Sequence, residues 1–200
     1  MDLSFLNRIV RYLKKGFRVL EQSRENTEEQ RYTISILVPC YNEESALNLF
    51  YERTAAVINS LQEYDFEILF VNDGSQDNTL SIMQELHRCD ERVSYLNLSR
   101  NFGKEIAMIA GIDYLRGDAA IIMDADLQDP PELIPKMIYW WQQGYDDVSA
   151  KRSSRAGESF FKKWTSHTFY RILQHLTDIP IQPDVGDFRL LDRQCLDAVR

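Results

Sequence analysis

The feature that most constrains this chain is a series of short apolar runs separated by stretches long enough for a helix. Thr33–Val38, Phe66–Val71, Val93–Leu98 and Ala119–Met123 are runs of strand length, bounded by polar or turn-forming residues, and they read as buried strands. Helical patterns fill the intervals: after Glu44 to about Leu61, Asn78–Cys89, Lys104 to about Leu115, and from Pro130 or Pro131 to about Gln143. A further strand is expected at Asp147–Lys151. Strands joined by helices of this length take right-handed crossovers and lie parallel. The expected fold class is therefore α/β, a doubly wound, mostly parallel sheet with helices on both faces.

One domain is expected over residues 31–200, preceded at 1–30 by an amphipathic helix and linker. Within 3–20, Leu6, Ile9, Val10, Leu13, Phe17 and Leu20 recur at helical spacing, with Arg8, Arg11, Lys14, Lys15 and Arg18 around them. A basic amphipathic helix either lies on an anionic membrane surface or docks on protein, and the pattern serves both.

The first four strands each run into a polar loop: Tyr41, Asn42 and Glu43; Asp73 and Ser75; Arg100, Asn101 and Lys104; Asp124, Asp126 and Gln128. In a doubly wound sheet these loops converge at the C-terminal ends of the strands, where ligands bind. Alternation along an extended chain puts Asp124 and Asp126 on the same side, about 6–7 Å apart. Two carboxylates with the Gln128 amide oxygen beyond them suit a hard divalent cation, Mg²⁺ or Mn²⁺. Taken alone, an Asp-x-Asp triplet is more often a polar turn, but four polar strand ends in series favour a site. Acids, an aromatic ring and a lysine together suggest a nucleotide, with Asp73 placed to accept the imide N–H of a uracil. Asp129 is expected to cap the helix that Pro130 or Pro131 begins.

Several classes are excluded. There is no Gly-x-Gly-x-x-Gly, no Gly-x-x-x-x-Gly-Lys-Ser/Thr and no Gly-x-Ser-x-Gly, so dinucleotide, P-loop and nucleophile-elbow chemistries lack support. A net charge of −8 argues against a nucleic-acid partner. Cys40, Cys89 and Cys195 form no Cys-x-x-Cys and read as free thiols, and the three histidines have no metal-ligand spacing. No apolar run reaches the length of a membrane span, so a soluble or peripheral protein is expected.

Five segments carry a resemblance: Val38-Pro39-Cys40-Tyr41-Asn42-Glu43, Val71-Asn72-Asp73-Gly74-Ser75, Arg100-Asn101-Phe102-Gly103-Lys104, Asp124-Ala125-Asp126-Leu127-Gln128-Asp129-Pro130 and Val185-Gly186-Asp187-Phe188-Arg189-Leu190. In this order they resemble the family 2 glycosyltransferases, in particular the polyprenyl-phosphate (bactoprenol) branch and, more distantly, dolichol-phosphate mannose synthase. The resemblance runs from about Thr33 to Arg200. It implies a GT-A fold, a nucleotide-sugar donor, a divalent metal and an inverting transfer of a hexose to a lipid phosphate. By analogy the donor is a UDP-hexose, with glucose favoured.

Carried over by motif, Pro39, Tyr41, Glu43 and Asp73 hold the nucleoside, Lys104 sits near the donor, and Asp124, Asp126 and Gln128 hold Mg²⁺ or Mn²⁺. The expected catalytic residues are Asp187, Asp126 and Arg189, with Asp187 acting as base or as a positioning group. Arg152, Arg155 and Lys163, beside Lys162, are expected to clamp the acceptor phosphate. The dolichol-phosphate branch favours arginine where Lys163 stands, and lysine lacks the bidentate fork. Undecaprenyl phosphate, a dianion once its second pKa of about 6 is passed, needs little help from a base. The expected location is the cytoplasmic face of the bacterial inner membrane, or the cytoplasm for a truncated product. Related enzymes continue into transmembrane helices, whereas this sequence stops at Arg200. Two expectations follow: a piece of a longer enzyme, or a chain that uses 3–20 and the amphipathic segment Phe160–Leu176 to sit on a membrane surface. A saccharide acceptor, or an inactive nucleotide-binding remnant, are the alternatives. The sequence does not determine a homo-oligomer.

Overall fold

Thr33–Cys40 (β1) is the central strand, and every residue of it after Thr33 is buried. A computed structural model describes residues 31–151 and 185–200 of the chain. β1 pairs in parallel with Asp65–Asn72 (β2) on one side and Ala119–Ile122 (β4) on the other. Val93–Asn97 (β3) extends the sheet beyond β2, again in parallel. Val185–Asp192 (β6) runs antiparallel to β4, and Asp147–Lys151 (β5) antiparallel to β6. The order is β3-β2-β1-β4-β6-β5, so five of the six strands share one direction and β6 opposes them. The expected mostly parallel sheet is present, with β6 added.

Period-two alternation divides the strand side chains between two cores. Ile34, Ile36, Val38, Ile68, Phe70 and Ile121 face one side, where Leu47–Asn59 (α1), Thr79–Cys89 (α2) and Ile134–Gln142 (α4) cover them through Phe50, Met83 and Ile134. Leu37, Leu69, Val71 and Ile122 face the other side, beneath Lys104–Ile112 (α3) and Arg193–Val199 (α5) through Ala107, Ile112 and Leu196. Burial at i, i+3, i+7 and i+11 along α1, through Leu47, Phe50, Thr54 and Ile58, is the amphipathic stripe a covering helix needs. Helices thus lie on both faces.

Two local expectations are corrected. β4 ends at Ile122, and Ala125 and Asp126 sit in a turn followed by Leu127 at φ 61°. Asp124 and Asp126 therefore do not share a side through extended alternation. Nor does Asp129 cap a helix: Pro130 precedes a 3-10 turn at Pro131–Leu133 that lacks any side-chain cap, and α4 begins only at Ile134. Asp129 is buried instead, with its Oδ2 3.5 Å from the Asp124 N–H. The expected helix at 3–20 and the segment Phe160–Leu176 lie outside the described residues. The described residues from Tyr32 onward form one compact unit.

Register sets where the loops emerge. Cys40 pairs with Asn72 and Asn72 with Asn97, so β1, β2 and β3 finish at one level, while β4 stops at Ile122, opposite Leu37, and the chain beyond it runs on toward the same edge. β6 enters from that same end, with Arg189 opposite Ile122. Gly74 joins two of these loops. Its φ is 66°, and a Cβ there would lie 2.3 Å from the backbone carbon of Arg100. Backbone cannot yield as a side-chain tip can, so Gly74→Ala is expected to destabilise the fold by about 2–3 kcal/mol. Urea unfolding monitored by circular dichroism measures this, and a loss within error of zero contradicts the close approach.

Candidate active site

The loops at the strand ends enclose a cavity of about 260 Å³. The loop after β1 supplies Pro39, Cys40, Tyr41 and Glu43; the loop after β2, Asp73; the loop after β3, Asn101, Gly103 and Lys104; the turn after β4, Asp124, Ala125 and Asp126.

Polar contacts between the loops fix their relative positions. Asn42, at φ 57°, donates its N–H to Ser75 Oγ at 3.0 Å and accepts the Gln76 N–H on Oδ1 at 2.8 Å. The Glu43 N–H donates to Thr79 Oγ1 at 2.8 Å. These bonds leave Tyr41 with its ring 41% exposed at the cavity wall, free to stack on a planar ligand. Asn72 bridges onward, its Nδ2 donating to Asn97 Oδ1 at 2.7 Å and its Oδ1 accepting the Ser75 N–H at 3.1 Å.

Asp73 is the most committed acid. It is 3% exposed, and its Oδ1 accepts the Phe102 N–H at 2.7 Å while Oδ2 accepts the Gly103 N–H at 2.9 Å. Both bonds hold the residues immediately before Lys104. A carboxylate oxygen can accept more than one hydrogen bond, so a second acceptor role is chemically open. Beside this loop the Arg100 guanidinium lies 4.3 Å from the Phe102 ring centroid.

Lys104 faces Asp124, with Nζ 2.6 Å from Oδ1 and 2.8 Å from Oδ2. Burial pushes the Asp124 carboxyl above its ordinary value; the Lys104 contact opposes this, and Asp129 and Asp126 add to it. The Glu43 carboxyl is likewise raised, by burial and then by Asp126, Asp124 and Asp77. Burial, then Glu43 and Asp124, hold the Cys40 thiol well above its usual range, so Cys40 is a protonated wall group and no nucleophile.

The excess of negative charge is what a cation would relieve. Asp124 and Asp126 both line the cavity, and both are oxygen donors of the kind Mg²⁺ or Mn²⁺ prefers. Among the described residues no three His, Cys, Asp or Glu side chains group as a self-sufficient metal site. Two carboxylates leave coordination positions for ligand oxygens, which fits a metal shared with a phosphate-bearing ligand.

The structure thus gathers Pro39, Tyr41, Glu43, Asp73, Lys104, Asp124 and Asp126 around one cavity. Gln128 is exposed and outside the lining, its backbone N–H donating to Asp126 Oδ1 at 2.9 Å. Arg189 is also outside it, 3.6 Å from Asp147. Asp187 lies two residues before Arg189 in β6, toward the end of the sheet that bears the cavity. Arg152, Arg155 and Lys163 lie outside the described residues. Sequence reasoning overlooked Cys40, Gly103 and Ala125 as wall residues. All three stand inside the motif segments that carry the resemblance, and that is the signal that marks them.

The raised Glu43 carboxyl gives a signed pH dependence. A carboxyl whose folded pKa exceeds its unfolded value favours the fold below the unfolded pKa, and that contribution is lost as pH rises through the folded value. Glu43→Gln is therefore expected to raise the melting temperature in EDTA at pH 7, with the difference shrinking toward about pH 4. A melting temperature lowered by the substitution at pH 7 contradicts the charge crowding.

Comparison with known proteins places the chain. Residues 35–200 match the family model described as glycosyl transferase family 2. YkcC of Bacillus subtilis (strain 168), an uncharacterized glycosyltransferase, is 50% identical over 83% of this chain and 51% of its own length. A bactoprenol glucosyl transferase of Shigella phage SfX is 44% identical over 84% of this chain and 54% of its own. The chain spans about half the length of the curated relatives it matches. Two solved structures share the fold. The Pyrobaculum calidifontis mannosyltransferase PcManGT, in complex with GDP-Man and Mn²⁺, has a TM-score of 0.59 at 17% identity, over 86% of this chain and 47% of that one. Mycobacterium tuberculosis glucosyl-3-phosphoglycerate synthase, in complex with Mn²⁺, UDP-Glc and phosphoglyceric acid, has 0.58 at 18%, over 82% of this chain and 57% of that one. The sheet, the cavity at its strand ends and these matches agree on a GT-A fold, and the chain belongs to glycosyl transferase family 2.

Proposed function

We propose that this domain transfers a hexose, glucose from UDP-glucose, to a polyprenyl phosphate such as undecaprenyl phosphate, with inversion at the sugar carbon. The observation that carries the reading is the cavity itself. It sets an exposed tyrosine, the buried Asp73 and the half-buried Glu43 against a lysine and a carboxylate pair, at the ligand-binding end of the sheet. The relatives named bactoprenol glucosyl transferase supply the sugar and the acceptor class.

Tyr41 stacks on the uracil, Pro39 walls the nucleoside, and Glu43 and Asp73 offer acceptor oxygens to its N–H and hydroxyl groups. Asp124 and Asp126 hold Mg²⁺ or Mn²⁺, which when bound neutralises charge on the departing UDP. Gln128 reaches that ion only if the turn after Asp126 rearranges. Lys104 balances the donor diphosphate. An acceptor phosphate oxygen attacks the anomeric carbon from the face opposite UDP; the new C–O bond forms as the bond to the diphosphate oxygen breaks. The phosphate is already a dianion at neutral pH, so Asp187 orients the acceptor more than it removes a proton. Arg189 and, from the segment beyond β5, Arg152, Arg155 and Lys163 offset repulsion between acceptor phosphate and diphosphate. A lipid acceptor places the reaction at a membrane surface, the cytoplasmic face for a donor made in the cytoplasm.

Incubation with labelled UDP-glucose, Mn²⁺ and undecaprenyl phosphate in membranes is expected to move label into the lipid phase. Asp126→Ala should lower that rate by about a hundredfold or more. Label appearing only in a water-soluble saccharide would replace the lipid acceptor with a sugar one. UDP binding without any transfer would favour a domain that keeps its donor site and has lost turnover.

A further inference from the structure

One residue in the turn after β4 is held in a conformation that its side chain does not favour. Among the described residues, Asn42 and Leu127 are the two non-glycine residues with positive φ, at 57° and 61°. Asparagine enters the left-handed region readily, because its short polar side chain can bond locally; leucine has no such compensation. Leu127 is half-buried and packs against the core beneath α1, α2 and α4, while Asp126 before it and Gln128 after it are exposed. Packing of this kind is what keeps a residue in a sparsely populated conformation.

The contacts on either side of Leu127 show what the conformation does. The Gln128 N–H donates to Asp126 Oδ1 at 2.9 Å, closing an Asx turn with Leu127 at its corner. Leu127 stands where position i+2 of a β-turn would be, and turns with a positive φ there ordinarily use glycine or asparagine. β4 ends at Ile122, so no strand pairing fixes Asp126, and its direction comes from this turn. Asp126 lines the cavity and Gln128 does not. We propose that Leu127 is a positioning residue, whose left-handed backbone presents the Asp126 carboxylate to the cavity and keeps Gln128 out of its lining. The inference rests on the proposed seating of a divalent cation by Asp124 and Asp126, and adds to it a residue that touches neither metal nor donor. A negative φ at this corner swings the peptide between residues 127 and 128 round, breaks the Gln128 N–H contact and frees the Asp126 carboxylate to take other rotamers. The cavity then loses one of its two oxygen donors for the cation. The leucine side chain, seated against the core, opposes that relaxation.

Mn²⁺ titration in the presence of UDP, followed by electron paramagnetic resonance of the free ion, tests the proposal without relying on turnover. Urea unfolding of each variant reports stability separately. Leu127→Gly and Leu127→Asn admit the left-handed conformation but remove the apolar side chain. They should lower stability while keeping Mn²⁺ affinity within about threefold of wild type. Leu127→Val keeps an apolar side chain, but its branched Cβ resists a positive φ, so it should lose Mn²⁺ affinity by roughly tenfold or more. That order is the reverse of what lost packing alone would give. Affinity that follows side-chain size, with Leu127→Val binding better than Leu127→Gly, overturns the positioning role. If Leu127→Val does not fold, a loss of roughly tenfold in both Leu127→Gly and Leu127→Asn overturns it as well. If wild type takes up Mn²⁺ with UDP and Leu127→Val does so equally well, the positioning role falls and the donor site stands. If wild type takes up no Mn²⁺, the donor reading falls and this inference with it.

Discussion

The candidate site depends on one buried carboxylate. Asp73 spends an oxygen on each of two successive amides, Phe102 and Gly103, and so determines where the chain stands as it enters α3. Hydrogen bonds to an ionised acceptor are roughly twice as strong as neutral ones, and burial sharpens the penalty for losing them. The next residue is Lys104, whose ammonium meets Asp124 across the cavity. A chain of three contacts therefore links the ends of β2, β3 and β4. The loop after β1 joins the same frame through Asn42 and Glu43.

The sheet makes this possible through strand direction. Parallel pairing brings four C-terminal ends to one edge, and the antiparallel β6 brings its beginning, with Asp187, to that edge as well. Strand directions alone thus bring the loops of the parallel strands and a further acid from the opposing one to the same edge. The crowded carboxyls are the electrostatic cost of that convergence. Glu43 and Asp124 both titrate above their ordinary values because burial and neighbouring acids disfavour their charge. Such crowding is common where a cation is to be bound.

Much of this was legible in the sequence because the relevant signals are local. β1 to β4 stand out as short runs between helical stretches, and the strand expected near Asp147–Lys151 is present as β5. β6 was recognised as a motif and not as a strand: Val-Gly-Asp-Phe-Arg mixes glycine and charge, and its partner β4 lies more than sixty residues earlier. Non-local pairing leaves no local pattern. The carboxylate pair was found for a partly mistaken reason. Residues 124 and 126 reach one cavity through a turn, and the left-handed Leu127 that follows it could not be foreseen from a leucine. Asp129 looked like a cap because it precedes two prolines, yet the protein buries it against the turn that carries the pair. Asp73 was read as a ligand for a base; its two amide contacts, invisible in sequence, show a structural duty as well.

The proposed reaction requires Asp124 and Asp126 to seat a metal beside a nucleotide diphosphate in this cavity. Crystals grown with Mn²⁺ and UDP, with diffraction recorded at the manganese edge, test it most directly. One strong anomalous peak is expected between Asp124, Asp126 and the diphosphate oxygens, with the uracil against Tyr41. UDP bound in the cavity with no peak there, or with manganese held by other residues, would contradict it.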